Sequence, residues 1–145
     1  MSYINSYHHF VWSTKHWAPY LKSPELRKTV WQHIWQEGRK KGIHIDVVSG
    51  YEDHCHCLIS VGASQSLQDI AHLLKGESSF WINKEKLCPT RFSWQHEYFA
   101  AAVSQSIVPR VRQYILNQEI HHQRRSSKDE YAELMKKHGF DLPKT

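Results

Sequence analysis

His54 and His56 stand at i, i+2 inside the apolar run H-C-H-C-L-I-S-V, and further on Tyr114 and Gln118 stand at i, i+4. On a strand alternate side chains share a face, so the two imidazoles would project together, about 7 Å apart. On a helix residues four apart are neighbours, with Cβ atoms about 5–6 Å from each other. A phenol with its ordinary pKa of about 10 attacks poorly unless a cation or base lowers its proton affinity. The four residues therefore suit a metal-assisted site in which His54, His56 and the Gln118 carbonyl ligate a cation and Tyr114 attacks. Cys55 and Cys57 alternate to the opposite face, where each reads as a small buried hydrophobe. That removes H-C-H-C as one four-ligand zinc site, which would also want C-x2-C or H-x3-H spacing. The same residues fit a plainer arrangement too, with the histidines on a sheet surface, Tyr114 in the core and Gln118 in solvent.

The elements that must position these groups read in a clear order. Residues 3–14 are β-branched and aromatic and predict a strand, and Lys15 to Pro24, with two prolines, predicts a loop. Ser23 as N-cap and Pro24 at the first helical position open a helix over 24–41, and Gly42 closes it. Residues 43–51 and 55–61 predict two strands whose short join favours an antiparallel hairpin. Ser66 caps a helix over 66–87, ended by Pro89. Residues 98–104 predict a fourth strand, Pro109 opens a helix running to His122, and 127–138 form a short amphipathic tail helix. The order β-α-β-β-α-β with C-terminal helices is the α+β, ferredoxin-like (RRM-like) pattern, an antiparallel sheet with helices on one face.

The totals bound the answer. A chain of 145 residues suits one domain with one core. No stretch approaches the roughly 18 apolar residues of a membrane span, and the first residues lack a signal-peptide pattern, so a cytoplasmic protein is expected. Three cysteines without framework spacing argue against structural disulfides. Lys and Arg outnumber Asp and Glu by 19 to 14, which is compatible with a polyanion partner. Twelve histidines raise the expectation of a metal or proton-transfer role. Trp81, Trp94 and Phe99 could stack on bases, although core packing is the simpler use of each.

In order along the chain, Y7-H-H-F-V-W-S-T-K, D53-H-C-H-C-L-I-S, L74-K-G-E-S-S, W94-Q-H-E-Y-F, A102-V-S-Q-S and V111-R-Q-Y-I-L-N-Q-E-I-H-H resemble the single-tyrosine HUH transposases of bacterial insertion sequences, including their REP-associated relatives. The set covers roughly residues 3–125. The resemblance implies a catalytic domain over 1–125 with a C-terminal helical tail over 126–145. It implies that His54 and His56 form the HUH pair and bind Mg or Mn, that Gln118 is the third ligand, and that Tyr114 is the nucleophile. Cys55 departs from the bulky aliphatic usual between the histidines. The implied reaction cleaves and rejoins single-stranded or hairpin DNA through a 5′-phosphotyrosine, in a bacterial, nucleoid-associated protein. Lys75, Ser78, Ser79, Arg110, Arg112, Arg124 and Arg125 become candidate phosphate contacts. Relatives that are homodimers with composite sites make residues 103–109 a candidate joint for exchanging the tyrosine helix. Two other classes compete: a non-catalytic nucleic-acid-binding module of RRM-like topology, and a regulatory protein with structural histidines. The K/R-G-F-G-F signature of the former is absent.

Overall fold

The computed structural model describes residues 2–122 and 125–140. Four strands form one antiparallel sheet: β1 (Tyr7–Ser13), β2 (His44–Tyr51), β3 (His54–Ser60) and β4 (Phe99–Val103), in the order β2-β3-β1-β4. Strands β1 and β2 are joined by helix α1 (Pro24–Lys40) and flank β3, while α2 (Leu67–Lys84) links β3 to β4. This arrangement is compatible with the predicted ferredoxin-like pattern. The Ser23 hydroxyl accepts from the Leu26 amide and the Ser66 hydroxyl from the Asp69 amide, so both predicted N-caps form.

Strand alternation divides the buried side chains into two sets. Phe10, Trp12, Ile45, Cys55, Cys57 and Ile59 pack with Val30, Ile34, Ile70, Leu74 and Ile82 of α1 and α2. On the other face Leu58 packs with Val47, Val103 and helix α3 (Val108–Leu116), through Val108, Val111 and Ile115. The C-terminal helices therefore cover the face that α1 and α2 leave open.

Two boundaries differ from the sequence expectation in ways that matter. Strand β1 starts at Tyr7 rather than residue 3, where its pairing with Ser60 and Val103 begins. The tyrosine helix is not continuous to His122. It stops at Asn117 (φ −94°, ψ 17°), and a four-residue turn, α4 (Gln118–His121), follows. The Gln118 Nε2 lies 3.4 Å from the Tyr114 carbonyl oxygen, the acceptor an unbroken helix would offer to the residue 118 amide. Helix α5 (Ser127–Lys137) then returns across the sheet face.

Candidate active site

Tyr51 pairs with His54 across the two-residue turn Glu52-Asp53. At Gly50 an added Cβ would stand 2.1 Å from the His54 carbonyl oxygen, so only glycine lets the strands close this tightly. The turn is held by the Thr14 amide to Asp53 O (2.8 Å) and the Leu21 amide to Glu52 O (3.0 Å). It sets the Asp53 carboxylate 2.9 Å from His54 Nδ1. From β1, His9 Nε2 approaches His56 Nδ1 to 2.8 Å. Beyond α4, His122 Nδ1 lies 2.8 Å from the Arg125 carbonyl oxygen. Three imidazoles are thus gripped from outside by Nδ1 and turn Nε2 inward, the way proteins orient metal-binding histidines.

The inward atoms converge. Gln118 Oε1 is 2.9 Å from His54 Nε2 and 3.0 Å from His122 Nε2. Glu130 Oε1, from α5, lies 3.3, 3.2 and 3.2 Å from the Nε2 atoms of His54, His56 and His122. The other oxygen, Oε2, accepts from the Tyr114 hydroxyl and from Gln118 Nε2 (3.1 Å). His121 Nε2 is 3.1 Å from that oxygen, yet without hydrogen-bonding geometry. All the central groups are buried: His54 is 1%, His56 0%, Gln118 0% and Glu130 5% exposed. Trp17 packs edge-on against Tyr131 of α5 and tilted against His54, held by a backbone with φ 56°. A bulky residue in that region is strained and needs surrounding packing to hold it. Arg27, buried and bonded to the Leu21 and Lys22 carbonyls, lies over the Tyr51 ring, which stacks on His122.

Electrostatics sorts these groups. Burial pulls His54 down, but hydrogen bonds to the Asp53 and Glu130 carboxylates outweigh it and push its pKa up to about 9. Burial dominates at His56 and pushes it down to about 4. His9 is held well below its usual range, first by burial and then by His56. Burial would raise the Glu130 carboxyl, yet hydrogen bonds from His122, His54 and His56 hold it well below the carboxylate range. Burial and the Glu130 charge drive the Tyr114 phenol far above its ordinary value. In these contacts the phenol stays protonated, and cationic charge is what the centre would need to activate it.

The sequence-predicted residues divide sharply. His54, His56, Tyr114 and Gln118, which the family resemblance groups in one site, lie together, and one chain gathers all four. Ser79 and, buried, Lys75 and Ser78 lie on α2, on the far face of the sheet. Lys75 Nζ is bonded to the His96 and Glu97 carbonyls, and Ser78 Oγ to Leu74 O and Trp94 Nε1. The Ser79 hydroxyl turns back to Gly76 O. As phosphate contacts Lys75 and Ser78 are corrected: their polar atoms hold the fold. Arg112 forms a bidentate pair with Asp46 (2.9 and 2.7 Å), and Arg125 pairs with Glu133. Arg110 is exposed beside Tyr114. Arg124 lies outside the described residues. Trp94 and Phe99 are buried, and Trp81 stacks on His33, so all three serve packing. Sequence reading missed Glu130, His9 and Asp53, and took His122 only as the end of the tyrosine helix.

The donor set fits a divalent cation. Among the described residues, His54, His122 and Glu130 bring ligand atoms within 4.8 Å of one another. Nitrogen and oxygen donors of this kind suit Zn, Mn or Mg in decreasing order of imidazole preference.

Comparison with known proteins places the chain. Residues 2–118 match the family described as "Transposase IS200 like". A search of curated proteins finds no match. Among solved structures, a candidate transposase from Deinococcus radiodurans R1 is similar with TM-score 0.63 at 20% identity, covering 81% of this chain and 95% of that one. A REP-associated tyrosine transposase bound to a REP hairpin is similar with TM-score 0.56 at 14% identity, covering 97% of this chain and 73% of that one.

Proposed function

The chain belongs to the IS200-like transposases, and from that premise we propose that it cleaves and rejoins single-stranded, hairpin-ended DNA through a 5′-phosphotyrosine on Tyr114. His54, His56 and Gln118 would hold a divalent cation, Mg or Mn. The observation that carries this reading is the convergence of two strand imidazoles, a helix amide and a phenol in a family of DNA-cleaving enzymes.

When bound, the cation would polarise a phosphodiester oxygen and offset charge in the transition state. The chain's own groups do the rest. The Tyr114 oxygen attacks phosphorus in line, forming the Tyr–O–P bond as the P–O3′ bond breaks. Its proton leaves towards the Glu130 carboxylate that now accepts it, and the departing 3′-oxygen is protonated by solvent. Phosphodiester energy stays in the Tyr114 linkage, so a second 3′-hydroxyl reverses the step and rejoins the strand. Asp53 and His9 fix the ring orientations of His54 and His56. A cavity of ≈370 Å³ opens on Tyr114 between β4, α3 and α5, with Arg110, Arg125 and Lys137 among its lining residues. Arg110 and Lys137 on this lining, which also carries Glu130 and the Arg125–Glu133 pair, could meet a phosphate backbone.

Residues 1–125 constitute the catalytic domain in this reading, with the tail returning over it. The homodimer in this reading rests on the family resemblance alone; the contacts of α3 and α4 with their own sheet favour each chain using its own tyrosine helix over the composite sites which that resemblance implies. The test is a covalent-adduct assay with hairpin-ended single-stranded DNA and Mn²⁺. Wild type should form an adduct that Tyr114→Phe and His54→Ala each lose, and mixing the two variants should not restore it. Absence of an adduct from wild type sinks the enzymatic reading, and cross-rescue sinks the assignment in cis.

A further inference from the structure

Two of the inward imidazoles have their hydrogens assigned by their neighbours. His54 Nδ1 faces a carboxylate oxygen and His122 Nδ1 a backbone carbonyl, groups that only accept, so each ring carries hydrogen on Nδ1. Each Nε2 then faces Gln118 Oε1 and Glu130 Oε1, which only accept, so either a second ring hydrogen or a bound cation lies between them. Acceptors facing acceptors repel unless positive charge sits among them. The separations fit one ion at the centre. Donors about 2.0–2.2 Å from a cation stand about 2.8–3.1 Å apart at right angles and about 3.3–3.6 Å apart in a tetrahedron. The observed N–O separations run from 2.9 to 3.3 Å.

We infer that His122 and Glu130 are two further ligands of the cation, so that the ion fastens helix α5 to the sheet. This rests on the cation reading for His54, His56 and Gln118 and extends it beyond the 2–118 family match. The full set becomes three imidazole nitrogens, one amide oxygen and one carboxylate oxygen. Three imidazoles favour Mn²⁺, Co²⁺ or Zn²⁺ over Mg²⁺, which prefers oxygen and keeps its water. Glu130 alone contributes a ligand from α5, and its second oxygen receives the Tyr114 hydroxyl. The ion would therefore set both the position of the tail helix and the group that the nucleophile faces.

The experiment measures Mn²⁺ binding by titration calorimetry and α5 amide exchange, residues 127–137, by mass spectrometry. Wild type should bind Mn²⁺ about tenfold or more tightly than Mg²⁺, and Mn²⁺ should slow exchange in α5. His122→Asn and the near-isosteric Glu130→Gln should each weaken Mn²⁺ binding about tenfold or more, and Glu130→Gln should abolish the Mn²⁺ effect on α5. Circular dichroism of each apo variant establishes folding, and the exchange readout in either folded variant suffices to decide. Wild-type Mn²⁺ affinity in both variants, or α5 exchange indifferent to Mn²⁺, overturns the inference. His54→Ala separates the two levels: if it still binds Mn²⁺ as wild type does, the underlying cation reading falls, whereas loss there with neutral His122 and Glu130 variants removes only the extension.

Discussion

Strand β3 has two faces that are equally buried and chemically opposite. Cys55, Cys57 and Ile59, each 0% exposed, point into the α1/α2 core, where their neighbours are Phe10, Trp12, Ile45 and Leu74. The thiols of Cys55 and Cys57 make only a 3.9 Å contact with each other, and burial raises the Cys55 thiol far above its usual range. His54 and His56, 1% and 0% exposed, point towards α3, α4 and α5 and meet Asp53, His9, Gln118 and Glu130. Burial is the same on both sides; what differs is whether the buried atoms need partners. On the core face dispersion and transfer from water suffice. On the site face every ring nitrogen must be oriented, and the orientation costs stability unless charge is supplied.

The largest effect should come from breaking the core face. Trp12 is fully buried and meets Trp94 edge-on at 6.1 Å between ring centroids. Trp12→Ala should lower the unfolding free energy by about 3–5 kcal/mol in urea titration, through lost transfer energy and the cavity left behind. Mn²⁺ affinity of the remaining folded protein should stay within about twofold. A large loss of affinity at matched folded fraction would mean that the two faces are coupled through the sheet.

The sequence made the division of β3 legible because a period of two needs nothing beyond the strand itself. Likewise Ser23, Pro24 and Ser66 signalled helix starts through contacts three residues away, and both caps formed as expected. Helical spacing put Tyr114 and Gln118 on one face but left a core tyrosine and an exposed glutamine equally open; the family resemblance supplied their roles, and the helix between them breaks at Asn117. Glu130 was not legible. It meets His56 across 74 residues, and D-E-Y-A-E on an amphipathic helix looks like any solvated face. Lys75 and Ser78 erred in the other direction. Their polarity suggested a surface, but the carbonyls of His96 and Glu97 and the Trp94 indole, far along the chain, draw them inward. Local rules found what local contacts decide.

The next effect isolates orientation from ligation. Asp53 touches His54 Nδ1 and lies outside the converging Nε2 atoms. Asp53→Asn keeps the shape while replacing an anionic acceptor, and should weaken Mn²⁺ binding about 10–100-fold with less than about 1 kcal/mol change in apo stability. Calorimetry and urea titration read the two quantities separately. Equal loss in both would place Asp53 on the structural side of the comparison. Its counterpart on the core face is Cys57→Ala, which should cost about 1 kcal/mol of stability and leave Mn²⁺ affinity unchanged.

The smallest effect extends the comparison from β3 to the cations carried by each face. Lys75 sits on the α2 face with its ammonium bonded to two carbonyls, and burial pushes its pKa down to about 8. Arg110 sits on the α3 face, exposed beside the cavity that opens on Tyr114. If DNA lies on the α3 face, Arg110→Ala should weaken single-stranded DNA binding a few-fold and reduce the slope of log affinity against log salt by about 0.7, the value for one phosphate contact. Lys75→Met should leave that slope unchanged. It should instead alter stability against pH. With the folded pKa below the unfolded value near 10.5, the unfolded chain holds the proton more tightly between about pH 8 and 10.5. Wild type therefore gains stability from this group as pH rises through that window, and Lys75→Met should lack the gain. A salt slope that falls with Lys75→Met would put DNA on the wrong face of the sheet, because the chain places that ammonium behind the core and turned towards carbonyls, where no phosphate can replace them without opening α2.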